Sequence, residues 1–149
     1  GKTFLARRVE ALLVADSRHA YLLEGENLLQ GLDADLSAAD PSYGAERVRR
    51  YGEVARLLID AGLIVVSTSK TFGINYHRMA EMIRTLVQPA PVIAVHMSKA
   101  EEEPPPNTDL HFVGPQDFDA AARQVIEELK RRGVLVQSTG AKTTIQYSI

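Results

Sequence analysis

Residues 21–36 read YLLEGENLLQGLDADL. An apolar run stops abruptly at Glu24, Gly25, Glu26 and Asn27. The segment 19–25, HAYLLEG, reads as a short strand running into a polar turn, and 26–32, ENLLQGL, as a brief helical or irregular piece stopped by Gly31. Upstream, 4–14 (FLARRVEALLV) places Leu5, Val9, Leu12 and Leu13 on one helical face. Downstream, 45–62 (AERVRRYGEVARLLIDAG) predicts a helix with Val48, Tyr51, Val54, Ala55, Leu58 and Ile59 inward, closed by Gly62. The run 63–68, LIVVST, follows at once as a strand buried on both sides. Then come a helix in 77–88 ended before Pro89 and Pro91, a second buried strand in 91–97 and a shorter strand in 109–114. A last helix occupies 115–133, with proline near its start and glycine after its end. Strands alternating with helices predict an α/β fold, a parallel sheet covered on both faces.

Bulk properties narrow the classes. The chain has 149 residues, 45% hydrophobic and 24% charged, with a net charge of −2. That suits one soluble domain spanning 1–149 and argues against nucleic acid as a partner. There is no cysteine, so disulfides and thiolate metal sites are excluded and a reducing, cytoplasmic setting is expected. No apolar run approaches ~20 residues, so no membrane partner is expected, and the basic, amphipathic start is unlike a signal peptide. The segment 98–108, SKAEEEPPPNT, is read as a loop, acidic and proline-rich over 100–109. The tail 138–149 ends in an alternating run, Thr144 to Ile149, that suits an edge strand or a mobile end.

The chain begins Gly1-Lys2-Thr3 and goes straight into a helix. This is the back half of the phosphate-loop pattern G-x-x-x-x-G-K-[ST] between a strand and a helix. Read so, Gly1, Lys2, Thr3 and Phe4 bind a nucleotide. Their amides face phosphates at the positive helix end, Lys2 reaches the β- and γ-phosphates of ATP, and the Thr3 hydroxyl meets Mg²⁺. Three residues alone also fit a tag remnant or chance; the alternation downstream favours the phosphate loop. The strand such a loop requires lies inside the sheet of phosphate-loop folds. Without it two strands expose unpaired backbone groups, so we expect residues before Gly1 in the natural protein. The similar-looking STGAKTT (138–144) has no Gly-Lys pair and no helical pattern after it.

In phosphate-loop kinases the second strand carries a carboxylate to the γ-phosphate, where it orients or deprotonates the acceptor hydroxyl or helps hold metal. Glu24 and Glu26 stand where that acid belongs, with Lys2 as the third catalytic candidate. Gly25 between them allows substrate close to the backbone. The competing reading is a solvated turn.

Residues 21–67 resemble adenylylsulfate (APS) kinase, a family with Asp-Gly-Asp-Asn-x-Arg-x-Gly-Leu, then Glu-Asn-Ile-Arg-Arg-x-Gly-Glu-Val-Ala, then Ala-Gly-Leu-Ile-Val. The resemblance implies a three-layer phosphate-loop kinase fold, a role in sulfate activation, and a nucleotide partner with other domains or subunits of a sulfate-activating protein. It marks Asn27, Arg47, Arg49 and Arg50 as substrate-binding candidates. Departures are several. Asp-Gly-Asp is Glu24-Gly25-Glu26; the next arginine is Leu29; the aromatic expected to stack on the APS adenine is replaced by Ser37 or Ala38. Asp-Arg appears as Tyr43-Gly44, the asparagine before Ile-Arg-Arg is Arg47, and the segment after the third strand is SKTFGINYHR (69–78). The family's long basic lid is replaced by the short acidic loop, a poor clamp for a dianion. Three expectations stand together: a degraded APS site with a regulatory or inactive role, an active kinase for APS or another small hydroxyl substrate, or a dimerising module using the tail or the helix bearing Met79 and Met82.

Other residues carry alternatives. His19, His77, His96 and His111 lack metal-ligand spacing; His96 faces the site or is a satisfied core histidine. Lys70 with Arg78 is a phosphate patch or solvated surface. Arg47, Arg49 and Arg50 meet a substrate anion, a partner subunit, or the acids Glu46 and Glu53.

Overall fold

The computed structural model describes residues 1–68, 72, 74–114 and 116–135; the tail 138–149, Lys70 and Pro115, on which expectations above fall, lie outside the described residues. The order is α1 (Lys2–Ala15), β1 (Ala20–Glu24), a single 3₁₀ turn (Gly25–Leu28), α2 (Tyr43–Asp60), β2 (Ile64–Thr68), α3 (Tyr76–Val87), β3 (Val95–Ser98), β4 (Leu110–Val113) and α4 (Phe118–Arg131). β1 pairs parallel with β2, Glu24 opposite Thr68, and β3 pairs parallel with β4, Val95 opposite Leu110.

The two-residue period of the strands sorts side chains into layers. Ile64 and Val66 join Leu5, Val9, Leu13, Ala122, Val125 and Leu129 in a core under α1 and α4. Val65 and Leu23 point the other way, to Val48, Tyr51, Ala55, Met79 and Val87 under α2 and α3. The result is a helix–sheet–helix sandwich of the expected three layers.

Local chemistry fixes the ends. Gly62 takes φ 90°, and its N–H donates to the Ile59 carbonyl (2.9 Å) while Leu63 N–H donates to Leu58 (3.1 Å), closing α2. Asp117 caps α4, its carboxylate accepting from the amides of Asp119 and Ala120. Asn75 Oδ1 accepts from Arg78 N–H at the start of α3.

Two boundaries differ from expectation. α2 begins at Tyr43 rather than Ala45. The second strand is short and half-buried, Val95–Ser98, not a fully buried run over 91–97. Pro91 has no N–H for a ladder, and among the described residues β3 has one partner, β4. No pairing joins β2 to β3 among the described residues. Between them lies an apolar slot of about 340 Å³, lined by Val65, Ser67 and Val95 from the strands, Ile93 from the segment before β3, Val9 from α1 and Met79 from α3. Among the described residues no helix is long and apolar enough to cross a membrane.

One hydroxyl ties β1 to β2 at their carboxyl ends. Tyr51, fully buried, places its phenol 2.8 Å from the Leu23 carbonyl, 3.2 Å from the Thr68 carbonyl and in contact with the Ser67 hydroxyl. Tyr51→Phe leaves those acceptors short of a donor, a loss of about 1–3 kcal/mol. Thermal unfolding followed by circular dichroism should show the midpoint fall by roughly 2–10 °C for a domain of this size; an unchanged midpoint would show that the hydroxyl is dispensable.

Candidate functional site

α1 starts at the carboxyl ends of the strands. Gly1 is its N-cap, with no side-chain cap and no acid in the first turn, so the first amides are unclaimed by side chains. A Cβ on Gly1 would stand 3.3 Å from Met97 Cε on β3 and 3.6 Å from the Phe118 ring, so glycine lets the turn lie against β3. Lys2 and Thr3 are exposed, and Lys2 borders the slot together with Ser67, Thr68 and His96. Phe4 is 65% exposed, its ring 5.9 Å from that of Phe118.

Glu24 ends β1, half-buried and paired with Thr68. Glu26 and Asn27 follow in the exposed 3₁₀ turn. Burial pushes the Tyr51 phenol well above its ordinary value; its Ser67 hydrogen bond opposes this, and the charges of Glu26 and Glu24 add to it. Tyr51 is therefore a neutral donor beneath two acids. The structure thus gathers Lys2, Glu24 and Glu26 around the same strand ends, where ligands bind in open α/β sheets.

Gly25 has a different neighbour from the substrate expected there. A Cβ on it would meet Phe72 Cζ at 2.4 Å. Phe72, 3% exposed, lies on the bare backbone with Tyr51 5.5 Å away, centroid to centroid.

The three arginines separate. Arg49 donates to Glu46 (2.9 and 2.6 Å). Arg50 donates to Glu46, to both oxygens of Asp35 (2.6 and 3.1 Å) and to the Leu32 carbonyl. Of the two acids considered in the sequence, Glu46 meets Arg49 and Arg50, while Glu53 pairs with Arg56. Arg47 is buried, its Nε donating to buried Asp33 at 3.3 Å, its guanidinium 4.3 Å over the Phe72 ring. His96 is half-buried, its Nε2 3.3 Å from Glu102 in the acidic loop, its ring 5.2 Å from His111. Residues 99–109 form neither helix nor strand. Among the described residues no group of three or more His, Cys, Asp or Glu could hold a metal. Sequence reasoning missed Phe72 against Gly25, Asp33 as the partner of Arg47, and the Tyr51 hydroxyl. Only the last left a signal: a phenol at an inward helical position.

Residues 1–109 match the adenylylsulphate kinase family model. The chain belongs to the adenylylsulfate kinase family. It is 38% identical over 109 residues to adenylyl-sulfate kinase of Aeromonas hydrophila, covering 70% of this chain and 53% of that one. Over 140 residues it is 38% identical to the enzyme of that name from Geotalea daltonii, covering 94% and 60%. The chain thus spans little more than half the length of these curated relatives. A 66-residue stretch, 44% of this chain and 10% of the relative, is 46% identical to bifunctional enzyme NodQ of a Rhizobium species. Among solved structures, Mycobacterium tuberculosis APS kinase CysC in complex with AMPPNP and APS superposes with TM-score 0.67 at 24% identity, covering 87% of this chain and 91% of that one. A hexameric APS kinase from Thiobacillus denitrificans gives 0.70 at 23%, covering 89% and 27%. These likenesses agree with the phosphate-loop kinase fold.

Two tests follow from the geometry. Gly25→Ala must push Phe72 aside and should cost about 1–3 kcal/mol, read as a lower denaturation midpoint; full stability would place the ring elsewhere. Hydrogen bonds from Arg49 and Arg50 hold the Glu46 carboxyl at about 2 instead of 4.5. A depressed carboxyl contributes stability in full above about pH 4.5 and loses it as the pH falls to about 2. Glu46→Gln should therefore be less stable than wild type at pH 7, with the difference closing between pH 4.5 and 2. A difference that persisted at pH 2 would count against this pairing.

Proposed function

We propose that this chain is an ATP-dependent phosphotransferase of the adenylylsulfate kinase type, moving the γ-phosphoryl group of ATP to a hydroxyl of adenylylsulfate or a related small acceptor. The observation that carries it is the meeting of the uncapped α1 N-terminus and Lys2 with the acid-bearing end of β1. Amides of Lys2, Thr3 and Phe4 would hold phosphate oxygens, and Lys2 would neutralise charge that builds on the transferring group. Glu24, at the strand end, would take the acceptor hydroxyl's proton as the oxygen–phosphorus bond forms and ADP leaves. Thr3 fits Mg²⁺ as a single hydroxyl ligand, the remaining positions going to phosphates and water; bound there, the ion would screen phosphate charge. The first half of the loop and its strand would lie before Gly1, in the slot between β2 and β3. Supporting this are the slot's apolar lining and its place beside Gly1.

A second reading, a regulatory domain with a degraded acceptor site, is favoured by one set of contacts: Arg49 and Arg50 are engaged by acids, and Glu101, Glu102 and Glu103 sit in the loop where a basic lid is expected. Partner domains and self-association, as in the NodQ and hexameric relatives, fit either reading.

Phosphoryl transfer from ATP to APS by the full-length protein separates them. Turnover is expected, with Lys2→Ala lowering it about 10- to 100-fold through loss of one charge-assisted contact. ATP binding without transfer to APS would favour the regulatory reading, and equal turnover in Lys2→Ala would remove the role given to Lys2.

A further inference from the structure

We propose that His96 is a second cationic contact for the phosphates of the nucleotide, set beside Lys2 at the slot and oriented by Glu102. The inference rests on the phosphotransferase reading and adds a residue to its phosphate site.

Three side chains that can carry positive charge line the slot: Lys2, Arg84 and His96. Arg84 is committed elsewhere, its Nη2 donating to the Asn107 carbonyl at 2.9 Å and lying 3.9 Å from Asp109. Lys2 and His96 remain. Gly1, where the phosphate-binding amides of α1 begin, lies against Met97, the next residue after His96 in β3. The ring therefore leaves the sheet within one residue of the phosphate seat. Val95 and Met97 face the core under α1 and α4, and the two-residue period turns His96 to the other face, 6.2 Å from the Tyr76 ring of α3. A strand in the slot would pair with the backbone of β3 and leave that face to the ring.

The neighbours of His96 leave one of its nitrogens open. Glu102, from the acidic loop, lies 3.3 Å from Nε2. An ionised carboxylate only accepts, so Nε2 carries a proton, and Nδ1 makes no hydrogen bond among the described residues. His111, from β4, stands 5.2 Å away, ring to ring, with its own Nε2 engaged by the Ser98 hydroxyl at 2.8 Å. Burial pushes the Tyr76 phenol up, so that neighbour stays neutral. A phosphate oxygen at Nδ1 makes the ring an imidazolium that donates both ways, to Glu102 and to the phosphate. The arrangement also answers the charge of the loop. Glu101, Glu102 and Glu103 would repel a polyphosphate, and a charged ring set between Glu102 and the phosphate neutralises the nearest of them.

Calorimetric titration of AMPPNP with magnesium into the full-length protein decides it, run near pH 6 and near pH 8 in buffers of different ionisation enthalpy. Histidine changes charge between about pH 5 and 8. A bound anion favours the charged ring, so the affinity it contributes is present at the lower pH and lost as the pH rises. Wild type should take up more protons on binding than His96→Gln. Near pH 6 His96→Gln should bind about 10-fold more weakly, the worth of one charge-assisted hydrogen bond, with a smaller difference near pH 8. Glu102→Gln, a change at an exposed side chain, should lose part of the uptake and serves if His96→Gln does not fold. A folded His96→Gln that matches wild type in affinity near pH 6 or in proton uptake overturns the proposal, as does unchanged uptake in Glu102→Gln if only that variant folds. AMPPNP binding lost in Lys2→Ala but untouched by His96→Gln overturns this proposal and leaves the phosphotransferase reading standing. A wild type that binds no AMPPNP at either pH overturns both.

Discussion

The buried hydroxyl of Tyr51 is the constraint from which the site's geometry follows. Helix α2 lies across β1 and β2, and its phenol bridges the two strand ends through Leu23, Ser67 and Thr68. A phenol enclosed this way needs partners, and strand ends with free carbonyls need a donor; each supplies the other. Glu24 is thereby fixed at the end of β1, Gly25 follows with its backbone bared, and Phe72 settles on it. Arg47, one helical turn before Tyr51, reaches the same ring. Acid, aromatic and cation are thus placed by one helix lying across one strand pair.

Much of the scaffold was legible because its signals are local. The apolar run at Ile64–Val66, the inward spacing of Val48, Tyr51 and Ala55, and Gly62 beyond the helix end act through nearest neighbours and the helical period. The two extra residues of α2, Tyr43 and Gly44, were not, since boundaries rest on contacts that local patterns do not record. β3 was overread because an apolar run says that a segment is buried and not by what: Ile93 and Val92 join the apolar clusters on the two sides of the sheet without entering a strand.

The candidate site was legible in part. Lys2, Glu24 and Glu26 could be named because motif and strand end are sequence features, and the structure brings them to one edge. Phe72 on Gly25 and Asp33 under Arg47 join residues 47 and 14 positions apart, and no periodicity announces such pairs. The arginine cluster shows the limit well: Arg47, Arg49 and Arg50 look alike in sequence, yet helix geometry turns Arg49 and Arg50 to Glu46 and Arg47 inward to an aromatic face. Similar residues on one helix so acquire three electrostatic environments.

The absence of pairing between β2 and β3 among the described residues bears on how rigidity is distributed. The core under α1 and α4 draws side chains from both strand pairs, Ile64 and Val66 on one side and Phe112 on the other. Among the described residues each pair keeps its own directional ladder, and the two pairs meet through nondirectional apolar contact. A strand seated in the slot, as proposed above, would pair with the facing edges of β2 and β3 and turn that contact into a continuous ladder, so the stiffness of the whole sheet would be set by the segment that leads into Lys2.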